Sequence, residues 1–157
     1  MPNLDQFDVA ILRALQSDCK LSLNEIADRA GLTPSPCWRR IKALEASGVI
    51  DRQVAILNAR KVGLHALAYV HVSLIDHREQ SIARFNEFVA RDDRIIECAS
   101  ITGESDYVLK VVAEDPEALE EFLMKELLAT GLVRATTTNF VLRRIKSRSA
   151  LPLKASD

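Results

Sequence analysis

The feature that most constrains this chain is a change of hydrophobic period at Gly48. Before it, apolar residues recur every three or four positions, as in packed amphipathic helices. After it, short β-rich stretches alternate with two helical ones. Its 157 residues suffice for two small domains, and a mixture of 48% apolar and 27% charged residues is that of a globular protein.

In the first part, Leu4, Phe7, Ile11, Leu12 and Leu15 predict a helix with Asp5 and Asp8 near its positive end. Ser22-Leu23-Asn24-Glu25 has the form of a capping box. It opens a short helix with an apolar stripe of Leu23, Ile26, Ala27 and Ala30, which Gly31 stops. Thr33 then caps a third helix whose first turn tolerates Pro34 and Pro36, because those amides lack intrahelical partners anyway. This helix is expected to run to about Ser47. A helical projection turns Trp38, Ile41 and Leu44 inward and Pro36, Arg39 and Ala43 outward, flanked by Ser35, Arg40 and Lys42.

Beyond Gly48, Val49, Ile50, Val54 and Ile56 read as a strand, and Asn58–Gly63 as a turn. Leu64–Leu74 is β-rich, Ser81–Ala90 helical, and Ile95–Ile101 β again. A tight turn at Gly103–Asp106 leads into a strand through Ala113, Pro116 opens a second helix, and Val133–Ile145 closes as a strand. The order β-α-β-β-α-β is the ferredoxin-like split pair. The fold class is therefore α+β. The expected domains are a helical one at residues 1–50, a linker strand and turn at 51–63, a ferredoxin-like one at 64–146, and a loosely held tail at 147–157.

A net charge of −1 carries no message about nucleic acid, so its distribution has to. Residues 1–60 hold 8 basic against 7 acidic side chains, residues 61–142 hold 8 against 14, and residues 143–157 hold 5 against 1. The acidic surplus lies in the middle, where Asp76, Asp92, Asp93 and Glu114–Glu121 read as a solvated face. Cys19, Cys37 and Cys98 suit neither a disulfide framework nor a zinc site. His65, His71 and His77 are six apart, about 20 Å along a strand, too far to share one ion. No metal or other cofactor is expected. Early acidic residues and the lack of a long apolar run argue against a signal peptide and a membrane span, and place the chain in the cytoplasm.

Two short helices joined at Gly31-Leu32, the second presenting Arg39, Arg40 and Lys42 with no acid before Glu45, fit a helix-turn-helix. Small residues at its start let such a helix approach base edges, and the cations meet phosphates or guanine edges. The pattern also fits an ordinary three-helix bundle with a solvated basic face.

The run Leu4-Asp5…Asp8…Ile11-Leu12…Leu15, with Leu23…Ile26-Ala27 and Gly31-Leu32-Thr33-Pro34-Ser35-Pro36-Cys37-Trp38-Arg39-Arg40-Ile41-Lys42…Gly48-Val49-Ile50, resembles the Lrp/AsnC, or feast/famine, regulators of bacteria and archaea. The later Thr102-Gly103-Glu104-Ser105-Asp106-Tyr107 resembles that family's G-x-x-D turn. The resemblance implies a winged helix-turn-helix that binds double-stranded DNA through Thr33, Ser35, Pro36, Arg39, Arg40 and Lys42. It implies dimers built on the sensor sheets, assembling further into a tetramer of dimers. It also implies an amino-acid effector held near Gly103, Glu104, Ser105 and Asp106, with Thr136 and Thr138 as further candidates. Gly103 would let backbone approach the ligand and Asp106 would accept from its ammonium group; the same residues could instead only shape a β-turn. Apolar neighbours Ile101, Val108 and Ala99 favour Leu or Met over charged effectors. Two other readings compete: a tetrapyrrole-pathway decarboxylase on the same two-domain scaffold, and a stand-alone amino-acid-binding module.

Overall fold

The computed structural model describes residues 4–156, so Asp157 of the expected tail lies outside the described residues. The chain divides into two compact units, residues 57–145 and a helical unit in which residues 1–56 are joined by residues 146–157.

In the helical unit, α1 spans Gln6–Ser17, α2 Leu23–Ala30 and α3 Pro34–Ala46. Each start has a local cause. Asp5 accepts from the amides of Phe7 and Asp8, both at 2.9 Å, while Asp8 reaches back to the Asp5 amide, so α1 opens with a reciprocal capping box. Ser22 and Glu25 do the same for α2, which ends at Gly31 in the left-handed conformation (φ 66°) that a side chain would resist. Thr33 stands at the N-cap of α3, but its hydroxyl makes no capping bond. The core comprises Ile11, Leu12, Ala14, Ile26, Ala27, Ala30, Cys37, Ile41 and Leu44.

Four expectations give way in the structure. Trp38 does not face inward: it is 52% exposed, and Cys37 at 0% takes the core position. Ala14, Ala27 and Ala30 line that core, and a junction built of methyl-sized groups accommodates a thiol more readily than an indole. Val49 and Ile50 begin no strand; both donate to the Leu44 carbonyl and fold onto the helical core. Residues 51–58 form no ladder, since a lone extended segment has no neighbour to pair with, and Val54 and Ile56 are exposed. The tail is not loose: Leu153 packs on the helical core, Leu151 exchanges hydrogen bonds with the Gln16 side chain, Arg13 donates to the Leu153 carbonyl, and the Ser156 amide donates to the Leu4 carbonyl.

The second unit opens with a short 3-10 turn, Ala59–Val62, capped by Asn58 and closed by Gly63. It then runs β1 Ala66–Leu74, α4 Glu79–Arg91, β2 Ile95–Ser100, β3 Tyr107–Ala113, α5 Pro116–Phe122 and β4 Val133–Phe140. After α5 the helix widens at Leu123–Leu127, where the Leu128 amide donates to Leu123. The strands form one antiparallel sheet in the order β2-β3-β1-β4, as the ferredoxin-like reading requires. Val70, Val72, Leu109 and Val111 point to the helices and are fully buried with Phe85, Leu119, Phe122 and Leu127, each such side chain contributing about 1.5–3 kcal/mol of apolar transfer. Alternate residues face away from the helices, and there Tyr69 is 42% exposed. The last strand stops at Phe140 rather than Ile145: once the Val141 amide has bonded to Leu67, β1 offers no further partner, and Leu142 and Ile145 are exposed.

Candidate DNA-binding surface and effector turn

Helix α3 sorts its side chains by a simple rule of spacing. Cys37, Ile41 and Leu44 recur at four and three residues and are buried; Ser35, Trp38, Arg39 and Lys42 recur at three, four and seven on the opposite face and are exposed. Thr33 and Ser35 are exposed and Pro36 is half-buried, so the start of the helix is sterically slight. Lys42 reaches Glu45 at 2.6 Å, a surface pair that exchanges readily with other anions.

Arg40 behaves differently from the other predicted cations. Its guanidinium lies 2.8 Å from carboxylate oxygens of both Asp5 and Asp8 and 5.3 Å from the centroid of the Phe7 ring, so it is directed at the capped start of α1. Asp8 and then Asp5 hold it more firmly protonated than a free arginine, and the Asp5 carboxyl is lowered chiefly by the Asp8 amide. The sequence offered a signal for this cluster, an acidic pair flanking an aromatic, but helix-dipole complementarity accounts equally well for such a pair.

At the other candidate site, Gly103 takes φ 122°, a conformation open to glycine and strained for other residues. Asp106 closes the turn. Its amide donates to the Val72 carbonyl (2.9 Å), its carbonyl accepts from Ile101 (3.0 Å), and its Oδ2 accepts from the Leu74 amide (2.7 Å). Oδ1 lies 2.8 Å from Nε2 of His77, which therefore carries the proton. The His77 bond first, then the Leu74 amide, hold the Asp106 carboxyl below the usual carboxylate range. Each oxygen that sequence reasoning offered to an ammonium group already takes part in one hydrogen bond within the chain. Glu104 is exposed, Ser105 half-buried, and the Glu104 carbonyl accepts a long bond from Ser73 (3.4 Å). The exposed part of the turn is Thr102, Gly103 and Glu104.

Thr136 and Thr138 sit opposite Val72 and Val70 on β4, across β1 from the turn, which continues into β3. Two strand spacings, about 10 Å, separate those strands, so one protomer does not bring the threonines onto the turn. His77 and the Leu74 amide are the turn residues that sequence reasoning missed; their partnership with Asp106 joins positions about thirty residues apart and leaves no periodic signal.

A shallow cleft of about 440 Å³ lies on the helical side of this unit, lined by Arg84, Glu87, Phe88, Arg91, Asp92, Glu126, Thr130 and Leu132. Its charges are largely paired: Arg91 with Glu87, and Arg94 with both Asp92 and Glu126 while lying over the Phe122 ring. Among the described residues no group of three or more His, Cys, Asp or Glu is arranged for a metal ion, and no helix is long and apolar enough to cross a membrane.

Comparison with known proteins supports the regulator reading. The family profile of the Lrp/AsnC ligand-binding domain matches residues 67–151, and that of a winged helix-turn-helix DNA-binding domain matches residues 4–51. The chain belongs to the Lrp/AsnC family. It is a DNA-binding transcriptional regulator. Curated relatives of this regulator include the leucine-responsive regulatory protein of Rhizobium meliloti, 37% identical over 146 residues and covering 91% of this chain and 92% of the relative. The DNA-binding transcriptional activator DecR of Escherichia coli is 32% identical, covering 96% and 99%. Among solved structures, a transcriptional regulator from Neisseria meningitidis in complex with L-Met superposes with a TM-score of 0.92 at 34% identity, covering 95% of this chain and 96% of that one. A feast or famine regulatory protein of M. tuberculosis, complexed with L-methionine, gives 0.82 at 30%, covering 94% and 97%.

Proposed function

We propose that this Lrp/AsnC regulator reads operator DNA through the outer face of α3 and that an apolar amino acid, Leu or Met, shifts its DNA affinity or assembly, all within the cytoplasm. The observation that carries the reading is the exposed stripe of Ser35, Arg39 and Lys42 on the second helix of a helix-turn-helix, beside the slight Thr33–Pro36 start. Arg40 acts as a positioning residue, holding α3 against the capped end of α1.

The effector reading is supported by the two relatives that were solved with methionine and by the turn itself. Backbone amides of Gly103, Glu104 and Ser105 suit an α-carboxylate, and Asp106, tied to Leu74 and His77, fixes the geometry of their turn. A second subunit supplies the remaining contacts, including any from Thr136 and Thr138, in a dimer formed on the helix-free face of the sheet and assembled further into a tetramer of dimers.

Selection of bound DNA from random duplexes, repeated with each amino acid, tests the function. A recovered motif whose occupancy changes with Leu or Met is the expected result; recovery of no motif would favour the enzyme alternative. Sedimentation at micromolar concentration tests assembly, and a monomer there would overturn it. Calorimetry against a panel of amino acids tests the effector, and binding of charged amino acids only would overturn the apolar assignment.

A further inference from the structure

Single exposed apolar residues are ordinary on protein surfaces, but Trp38 differs in its company. It is the only large apolar side chain on the outward face of α3, 52% exposed. Ser35 precedes it by three residues and Lys42 follows by four, so the indole borders the exposed stripe that carries Arg39 and Lys42. The core positions of α3 are already filled by Cys37, Ile41 and Leu44.

We propose that Trp38 is a specificity-determining residue that packs its ring against the methyl group of a thymine in the major groove; this rests on the reading of α3 as the DNA-facing helix. The cations that follow it, Arg39 and Lys42, are drawn to phosphates and guanine edges, which brings the indole beside them to the groove. The apolar group that the major groove offers there is the thymine 5-methyl, and the indole N–H has acceptors beside it in thymine O4 and purine N7. An aromatic ring cannot be satisfied by phosphate alone, so this contact discriminates among bases where Lys42 does not.

The chain contains one tryptophan, so its fluorescence reports on this residue without labelling. Selection from random duplexes with the wild type, W38F and W38A, each checked by thermal melting, forms the first arm; titration of the wild type with the selected operator forms the second. The expected result is an A·T position that W38F keeps and W38A no longer selects, with Trp38 emission shifted by operator DNA. Replacing that thymine by uracil should cost the wild type about fourfold in affinity, the worth of one buried methyl group, and cost W38A nothing. If W38A selects the same motif with equal affinity and wild-type emission does not move, the proposal fails while the DNA-binding reading stands. If W38A instead changes sedimentation with operator selection intact, Trp38 belongs to a protein interface and the proposal is again overturned. If the wild type selects no sequence at all, the reading of α3 falls and this inference with it.

Discussion

On the outer face of α3, Arg39 carries a guanidinium that, among the described residues, meets no carboxylate within 4.0 Å, and Lys42 holds only a surface partner. At the turn after β2, by contrast, both oxygens of Asp106 are engaged within the chain, by Leu74 and His77. One surface presents its side chains to the outside; the other uses its side chains to hold a backbone in place. The difference separates two kinds of recognition. On the proposed reading, a polyanion would be met by outward cations on a rigid helix, and a small zwitterion by a turn whose geometry has been fixed beforehand. Arg40 shows that the distinction is not one of residue type, because it lies one position from Arg39 and belongs with Asp106 as a holder.

The sharpest way to break this comparison is to remove the outward cations of α3. Arg39→Ala with Lys42→Ala should lower operator affinity by about 1–3 kcal/mol for each base edge no longer read, and reduce the salt slope by about one for each phosphate no longer neutralised, with thermal stability unchanged. Gel shifts across a salt series measure both, and unchanged binding would remove α3 from the interface.

Asp106→Ala should do the reverse. It leaves the Leu74 amide without its acceptor, costing the sensor unit about 1–3 kcal/mol, and it should abolish the effector response while operator binding by α3 stays near normal. Calorimetry that finds wild-type effector affinity in this variant would separate the turn from the binding site.

Arg40→Ala should lower the melting temperature of the helical unit by an amount corresponding to about 1–2 kcal/mol, since two carboxylates are deprived of their shared partner. Its DNA affinity should recover on cooling well below the transition, which a direct DNA contact would not allow.

Acid titration gives the smallest effect. Because the folded state holds the Asp106 carboxyl below its unfolded value, its contribution is complete above about pH 4 and disappears as pH falls through the lower folded value. Asp106→Asn should therefore flatten the acid limb of the stability curve below about pH 4 relative to wild type. A parallel limb in that variant would assign acid sensitivity elsewhere, to pairs such as Asp92 with Arg94.

Local chemistry was legible in the sequence wherever cause and effect lie within a few residues. The box at Ser22 and Glu25, the stop at Gly31 and the alternation that orders β1, β2 and β3 all read directly. Trp38 was misplaced because Ile41 and Leu44 leave two adjacent positions able to complete the buried face, and hydrophobicity favours the larger side chain while space favours Cys37. The strand expected through Val54 and Ile56 has suitable residues, but a ladder needs a neighbour, which composition cannot report. Asp106, Arg40 and the tail share one difficulty: each acts on a partner distant in sequence, 29 to 140 residues away for the hydrogen bonds of Asp106 with His77, Arg40 with Asp8 and Arg13 with Leu153.

The docked tail changes what a single break in the backbone would do. Residues 51–58 are exposed and unpaired, a natural place for a protease to cut. In a chain whose first unit hung from that segment alone, one cut would set the DNA-binding helices free. Here residues 146–156 continue from the sheet unit and dock on the first helices, Leu151 and Leu153 on α1 and Ser156 on Leu4, so a nicked protein would keep its two halves together as a noncovalent pair. Such a pair would migrate as two bands under denaturing conditions and as one species without denaturant. A fragment cut off at residue 56 would lack the segment that completes its own surface.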